Sequence, residues 1–301
     1  MAIVTAYLAP EGFVDDLVRE VGESVREVHG RLVIAEGEPL APAWAANVWR
    51  APQRIPITSI GDAATKLRAI QRNWARYPHA HHRRAALIEE RLPKVSAKPL
   101  EFGVAAPAAP LGSWTLLAPD LMLASASCSS AFPNGEVRFI EDRVSSPSRA
   151  YLKLWEAFTV LGVKPQPGDL CLDLGACPGG WTWVLANLGA HVISVDKAPL
   201  DPRIAAMPGV EVRQESAFGL DPRSQSVPAV DWLCSDVICY PARLLGLVER
   251  WLATGKARRF ICSVKFRGET DFGVMNAFKA IPGSRLMHLS ANKHELTWVK
   301  L

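Results

Sequence analysis

The residues best suited to chemistry lie in Asp169-Leu170-Cys171-Leu172-Asp173-Leu174-Gly175-Ala176-Cys177-Pro178-Gly179-Gly180-Trp181. An apolar run ends in an acid, a loop of small residues follows, and residues able to open a helix come next. In an α/β sheet, ligands bind at such strand–loop–helix joints, outside the carboxyl ends of the strands. Glycines allow close backbone approach and positive φ where a turn needs it. A second apolar run, His191-Val192-Ile193-Ser194-Val195, ends in a second acid, Asp196. A carboxylate there can accept hydrogen bonds from ribose hydroxyls. The two acids together argue for a nucleoside cofactor. The loop is not the G-x-G-x-x-G of dinucleotide enzymes, and no G-x-x-x-x-G-K-[ST] phosphate loop occurs anywhere. A loop that does not grip phosphate suits S-adenosylmethionine, a nucleoside without phosphate.

The elements that must hold these residues alternate regularly along the second half. A helix over 149–161 precedes a strand at 170–174 and a helix from Gly180. Strands follow at 192–195, 210–213 and 232–235, then a helix over 241–253. A strand at 260–264, a helix at 273–280 and strands near 286–289 and 296–299 complete the half. Such alternation predicts an α/β fold, Rossmann-like, with a mostly parallel seven-stranded sheet covered by helices on both faces.

The first half carries its own elements, an α+β part. Residues 3–8 and 31–35 read as strands, and Phe13, Leu17 and Val21 mark an amphipathic helix. Residues 39–56 show weak periodicity and are not placed. Residues 63–77 read as a helix with Leu67, Ile70 and Trp74 on one stripe and Arg68, Arg72 and Arg76 on another. Arg83, Arg84, Arg91, Lys94 and Lys98 continue the basic run, with an aromatic interleaved, which fits contact with RNA phosphates. His79, His81 and His82 lack partners at ligand spacing, so no metal is expected. Residues 103–113 have linker composition. Residues 114–124 and 137–140 read as strands, with a turn at Pro133-Asn134-Gly135. The expected division is a substrate-binding region over 1–145 and a second domain over 146–301.

Bulk composition agrees with a globular chain. The 301 residues are 49% hydrophobic and 21% charged, with a net charge of +4. The mild basicity permits an anionic partner without requiring one. Six cysteines without a C-x-x-C pair suggest reduced thiols and neither a zinc site nor a disulfide frame. The segment Met1 to Leu8 lacks a charged leader region, and no apolar run reaches the length of a membrane helix. The expected location is the cytoplasm, with no membrane partner.

Asp173 to Thr182, Asp-Leu-Gly-Ala-Cys-Pro-Gly-Gly-Trp-Thr, resembles the first motif of FtsJ-like S-adenosylmethionine-dependent methyltransferases. It is most similar to their RlmM-like branch, which methylates a ribose 2′-hydroxyl of large-subunit ribosomal RNA, 23S RNA with a cytidine acceptor. The resemblance implies a THUMP-type region in the first half, carried over from position alone. It implies a Lys-Asp-Lys-Glu tetrad around the target ribose, to which Lys153, Asp236, Lys265 and Glu295 correspond. It also implies that Asp173, Gly175, Cys177, Pro178, Gly179, Gly180, Trp181, Asp196, Ser216 and Asp236 bind the cofactor. Ser216 stands where the family usually has Asp, and Ala150 where it has Ser. RNA contact is expected at Arg68, Arg72, Arg76, Arg83 and Arg84.

The chemistry accounts for the residue types. A ribose hydroxyl must lose its proton to attack a sulfonium methyl. A lysine serves as base only when its pKa falls from about 10.4 toward neutral. A lysine kept as ammonium would instead stabilise the forming alkoxide. Both roles stay open for Lys265, and the acids orient. A base N-methyltransferase would show Asn/Asp-Pro-Pro-aromatic, which Asp236-Val237-Ile238-Cys239-Tyr240-Pro241 lacks. A cytosine C5 enzyme needs a thiolate, and nothing basic adjoins Cys239 in sequence. An RNA-binding or ribosome-assembly protein on this scaffold, and a methyltransferase acting on another RNA or a small molecule, remain alternatives.

Overall fold

The computed structural model describes residues 3–301; Met1 and Ala2, which open the segment examined for a leader, lie outside the described residues. The chain forms two compact units, one ending at Ile140 and the other spanning Glu141–Leu301. No helix among the described residues is long and apolar enough to cross a membrane.

The first unit runs β1 (Val4–Leu8), α1 (Val14–Val21), β2 (Val25–His29), β3 (Leu32–Glu36), β4 (Asn47–Arg50), β5 (Gln53–Pro56), α2 (Ile60–Ile70), β6 (Trp74–Arg76), α3 (His82–Glu89), β7 (Gly112–Ala118), β8 (Leu121–Ser125) and β9 (Ser127–Cys128). One sheet has the order β2-β3-β1-β4-β9 and the other β5-β8-β7-β6. Alternate residues of the first sheet, Ala6 and Leu8 with Leu32 and Ile34, share a buried cluster with Trp49 and Tyr77. This is the period-two pattern of a strand with one covered face. The second sheet buries Trp114, Leu116 and Met122 against Leu67 of α2 and Ile88 of α3.

Several expectations for this unit need correction. The helix expected over 63–77 stops at Ile70. The Trp74 indole N–H donates to the Leu67 and Gln71 carbonyls, both at 3.0 Å, closing off the last turn. Residues 74–76 then pair in parallel with β7. Arg68, Arg72 and Arg76 therefore do not form one helical stripe: they lie on α2, in the connection and on β6 respectively. A tertiary sheet partner outweighed the helical periodicity. The strand expected over 114–124 is a hairpin of β7 and β8, broken at Pro119-Asp120. Proline has no N–H to donate to the ladder. Residues 137–140 form no strand and contribute one bridge, Leu100 to Phe139. The unplaced stretch 39–56 contains β4 and β5, and Gly112 and Ser113 of the supposed linker belong to β7.

The second unit runs α4 (Tyr151–Leu161), β10 (Leu170–Leu174), α5 (Gly180–Asn187), β11 (His191–Val195), α6 (Pro202–Ala205), β12 (Val210–Arg213), β13 (Val230–Ser235), α7 (Pro241–Thr254), β14 (Ala257–Lys265), α8 (Phe272–Ala280), β15 (Ser284–Met287) and β16 (Glu295–Lys300). Its seven-stranded sheet has the order β12-β11-β10-β13-β14-β16-β15. Pairing is parallel up to β14, and β16 runs antiparallel to both β14 and β15. The order turns outward in both directions from β10, so the carboxyl end of that strand faces a topological switch point. The core strands are apolar on both faces, as Leu172, Leu233, Cys234, Ile261 and Cys262 show.

Candidate active site

The tetrad expected from sequence converges at the carboxyl edge of this sheet. Asp236 follows β13 and Lys265 ends β14. Because β16 is antiparallel, its first residue, Glu295, falls directly opposite Lys265 in register. Lys153 comes from the first turns of α4. Its ammonium lies 2.9 Å from Asp236 Oδ1 and 2.7 Å from Glu295 Oε1. Lys265 Nζ lies 3.0 Å from the same Asp236 oxygen and donates to the Asp236 carbonyl. The four groups form one chain, Glu295–Lys153–Asp236–Lys265.

The side chains of Lys153 and Glu295 are only 11% and 8% exposed. Burial works against the Lys153 charge, but Asp236 and Glu295 outweigh it and hold the pKa above the ordinary lysine value. Burial likewise works against the Asp236 carboxylate, and Lys153 and Lys265 outweigh it, holding that pKa below the ordinary range. Opposite charges at this distance favour the charged forms of both partners. Lys153 is thus a fixed cation. Burial pushes the Cys239 thiol up despite nearby Arg243 and Lys265, which does not suit a thiolate nucleophile.

The motif loop sits beside this chain. Asp173 is fully buried at the end of β10, and one of its oxygens accepts from Thr182 at 2.7 Å. Thr182 in turn meets Ser194 of β11 at 2.8 Å. The other carboxylate oxygen of Asp173 is buried with no donor. Burial is the main reason that its pKa rises to about 7. Asp196 caps the loop, accepting from the backbone N–H groups of Cys177 at 3.1 Å and Ala198 at 2.9 Å. The Cys177–Pro178 peptide is cis.

The glycines are required by the protein's own packing. Gly175 has φ +81°, and a Cβ there would lie 2.6 Å from the Val237 Cα. Gly179 has φ +116°, and its Cβ would crowd Ile204 at 2.9 Å. A Cβ on Gly180 would meet the Ser148 hydroxyl at 2.4 Å. Trp181 is buried, and its indole donates to the Ala150 carbonyl at 2.9 Å, tying α5 to the start of α4. Ser216 lies beyond β12, partly buried, with its carbonyl accepting from Gly219.

Three residues of this region were not singled out from sequence. The Ser148 hydroxyl is buried without a partner and borders a cavity of about 420 Å³ with Glu141, Arg143 and Tyr151. Thr182 orients Asp173. Glu156, one turn beyond Lys153 on α4, accepts backbone N–H groups from Ser290 at 2.8 Å and Ala291 at 3.2 Å. It thereby ties α4 to the loop that leads into Glu295. Burial pushes its pKa up to about 7. The signal was an acid inside the apolar run Leu154-Trp155-Glu156-Ala157-Phe158.

The expected RNA-contact residues belong to the first unit. Arg68, Arg72 and Arg83 are exposed. Arg76 pairs with Glu89 at 2.8 Å, and the Arg84 Nε is buried without a partner.

The second unit thus combines a doubly wound, Rossmann-like sheet, a small-residue loop at its switch point, two acids at adjacent strand ends and a Lys-Asp-Lys-Glu chain beside them. Residues 147–253 match the family described as FtsJ-like methyltransferase. Relatives named "Ribosomal RNA large subunit methyltransferase M" match the chain further. The one from Halorhodospira halophila is 41% identical over 137 residues, 44% of this chain and 39% of the relative. The one from Aromatoleum aromaticum is 34% identical over 166 residues, 50% of this chain and 44% of the relative. The one from a Marinomonas species is 35% identical over 146 residues, 46% of this chain and 40% of the relative. The match spans about two fifths of the length of each of these relatives.

Proposed function

We propose that this chain transfers the methyl group of S-adenosylmethionine to a ribose 2′-hydroxyl of RNA, the RNA being large-subunit (23S) ribosomal RNA and the acceptor a cytidine, in the cytoplasm. The observation that carries this reading is the continuous chain Glu295–Lys153–Asp236–Lys265, linked at 2.7 to 3.0 Å next to the motif loop. The residues present fit the cofactor. The unpaired buried oxygen of Asp173 suits an ammonium, the unpaired Ser148 hydroxyl suits a carboxylate, and Asp196 suits a ribose. When bound, S-adenosylmethionine supplies an electrophilic methyl group on a sulfonium.

The chain's own residues do the rest. Asp236 accepts from both lysines and fixes their spacing. Lys153, locked as an ammonium between two carboxylates, supplies a positive charge for the oxygen that gains negative charge. Lys265 touches one carboxylate where Lys153 touches two, and its side chain is the more exposed of the two. It is therefore the lysine assigned to meet the acceptor hydroxyl, either taking its proton or, as an ammonium, stabilising the forming alkoxide. Holding the acceptor hydroxyl in line with the methyl group removes much of the entropic barrier. Exposed Arg68, Arg72 and Arg83 supply phosphate contacts.

The test is Lys265→Ala. Methyl transfer to ribosomal RNA should be lost, while calorimetry shows S-adenosylmethionine still bound. Lys265→Arg should also be nearly inactive, because guanidinium does not deprotonate near neutral pH. Mass spectrometry of digested RNA should find the wild-type product on ribose. A methyl group on a base, or an active Lys265→Ala protein, overturns the assignment.

A further inference from the structure

The segment after Asp236 leaves two large apolar side chains in solvent, Ile238 at 74% and Tyr240 at 64% exposure. No other aromatic among the described residues is as exposed as Tyr240. Its backbone is anchored: the Tyr240 carbonyl accepts from Arg243 at 3.0 Å and from Leu244 at 3.3 Å, opening α7. Its ring is braced as well, with the Arg267 guanidinium 5.3 Å from the ring centroid. Arg267 comes two residues after Lys265. The ring therefore ties the segment after β13 to the segment after β14, the two strands that deliver Asp236 and Lys265. Cys239, its neighbour, lies close enough to Lys265 and Arg267 to feel their charges.

We propose that Tyr240, held by Arg267, is the platform on which the nucleobase of the acceptor nucleotide stacks. This rests on the ribose-methylation reading above. A ribose presented to Lys153 and Lys265 carries its base with it, and that base needs a surface beside the tetrad. A braced, solvent-exposed aromatic loses little side-chain freedom on binding, having two χ angles. Every base has a π-face, so stacking holds the nucleotide without reading its edge. Arginine over the ring adds a cation–π contact that keeps the plane in one orientation.

The experiment compares wild type with Tyr240→Ala, Tyr240→Leu and Tyr240→Phe, using unmodified 23S ribosomal RNA made in vitro and radiolabelled S-adenosylmethionine. Tyr240→Ala and Tyr240→Leu should raise the KM for RNA about tenfold or more, the range expected for loss of one stacked base. Tyr240→Phe should stay within about twofold of wild type, because the ring and not the hydroxyl carries the contact. Affinity for S-adenosylmethionine by calorimetry should be unchanged in all three, which also reports an intact fold. A wild-type KM in Tyr240→Ala overturns the platform while leaving the ribose assignment standing. So does a Tyr240→Leu protein equal to wild type, since plain apolar cover would then suffice. A wild-type protein that places no methyl on ribose overturns both.

Discussion

Replacing Lys153 by Met tests whether the four-residue chain is a single electrostatic unit. Methionine keeps most of the apolar stem and removes the charge. Asp236 would retain Lys265 at 3.0 Å. Glu295 would not be compensated, because Lys153 is its one ion-pair partner among the described residues. At an effective dielectric of about 20, unit charges about 2.8 Å apart attract by roughly 6 kcal/mol, and most of that offsets the desolvation of the pair. Removing one partner leaves the desolvation cost in place, so Lys153→Met should destabilise the protein by about 3–5 kcal/mol. The double variant Lys153→Met with Glu295→Gln removes the orphaned charge and should recover more than half of that loss. Urea unfolding, with m-values compared across the series, reads these differences, and methyl transfer should be absent in both variants. A single variant within about 1 kcal/mol of wild type, or a double variant no more stable than the single one, refutes the assignment of Lys153 as the central cation.

Two further outcomes concern Glu156, which is buried, and Asp196, which is partly buried. Glu156 has a folded-state pKa of about 7 against an ordinary value of 4.5, so between those values the folded state holds more protons than the unfolded state. Stability should therefore fall as pH rises from about 4.5 to 7, by an order of about 3 kcal/mol in total. Glu156→Gln should flatten that slope in urea titrations at several pH values, and an unchanged slope would remove Glu156 as its source. Asp196→Ala should weaken S-adenosylmethionine binding by roughly ten- to a hundredfold, since a buried hydroxyl without its acceptor costs about 1–3 kcal/mol. Calorimetry decides this, and equal affinity would place the ribose elsewhere.

The second unit was legible in the sequence because its strands are short apolar runs bounded by turns and its helices follow at regular intervals. The strand at Leu170–Leu174, the one at Val210–Arg213 and the helix from Gly180 have the bounds that local pattern indicates. Local pattern also showed that acids and lysines end these strands. In the first unit, local pattern failed wherever a distant partner decided the outcome. Arg68, Arg72 and Arg76 have helical spacing, yet the chain leaves the helix at Ile70, because the Trp74 indole satisfies its last carbonyls and β7 offers a ladder for residues 74–76. Such pairing lies outside any window of sequence.

The sequence by itself determined the strand–loop–helix joint, its two acids and the order of the four charged residues. Only the tertiary structure decided that Lys153 sits between Asp236 and Glu295, 83 and 142 positions away along the chain. It alone set Glu295 opposite Lys265 through an antiparallel last strand, and Glu156 beneath the loop that carries it. The physical reason is that charge type and strand ends are local properties of the chain. Burial, register and the pKa shifts that follow exist only once segments far apart in sequence share one low-dielectric neighbourhood.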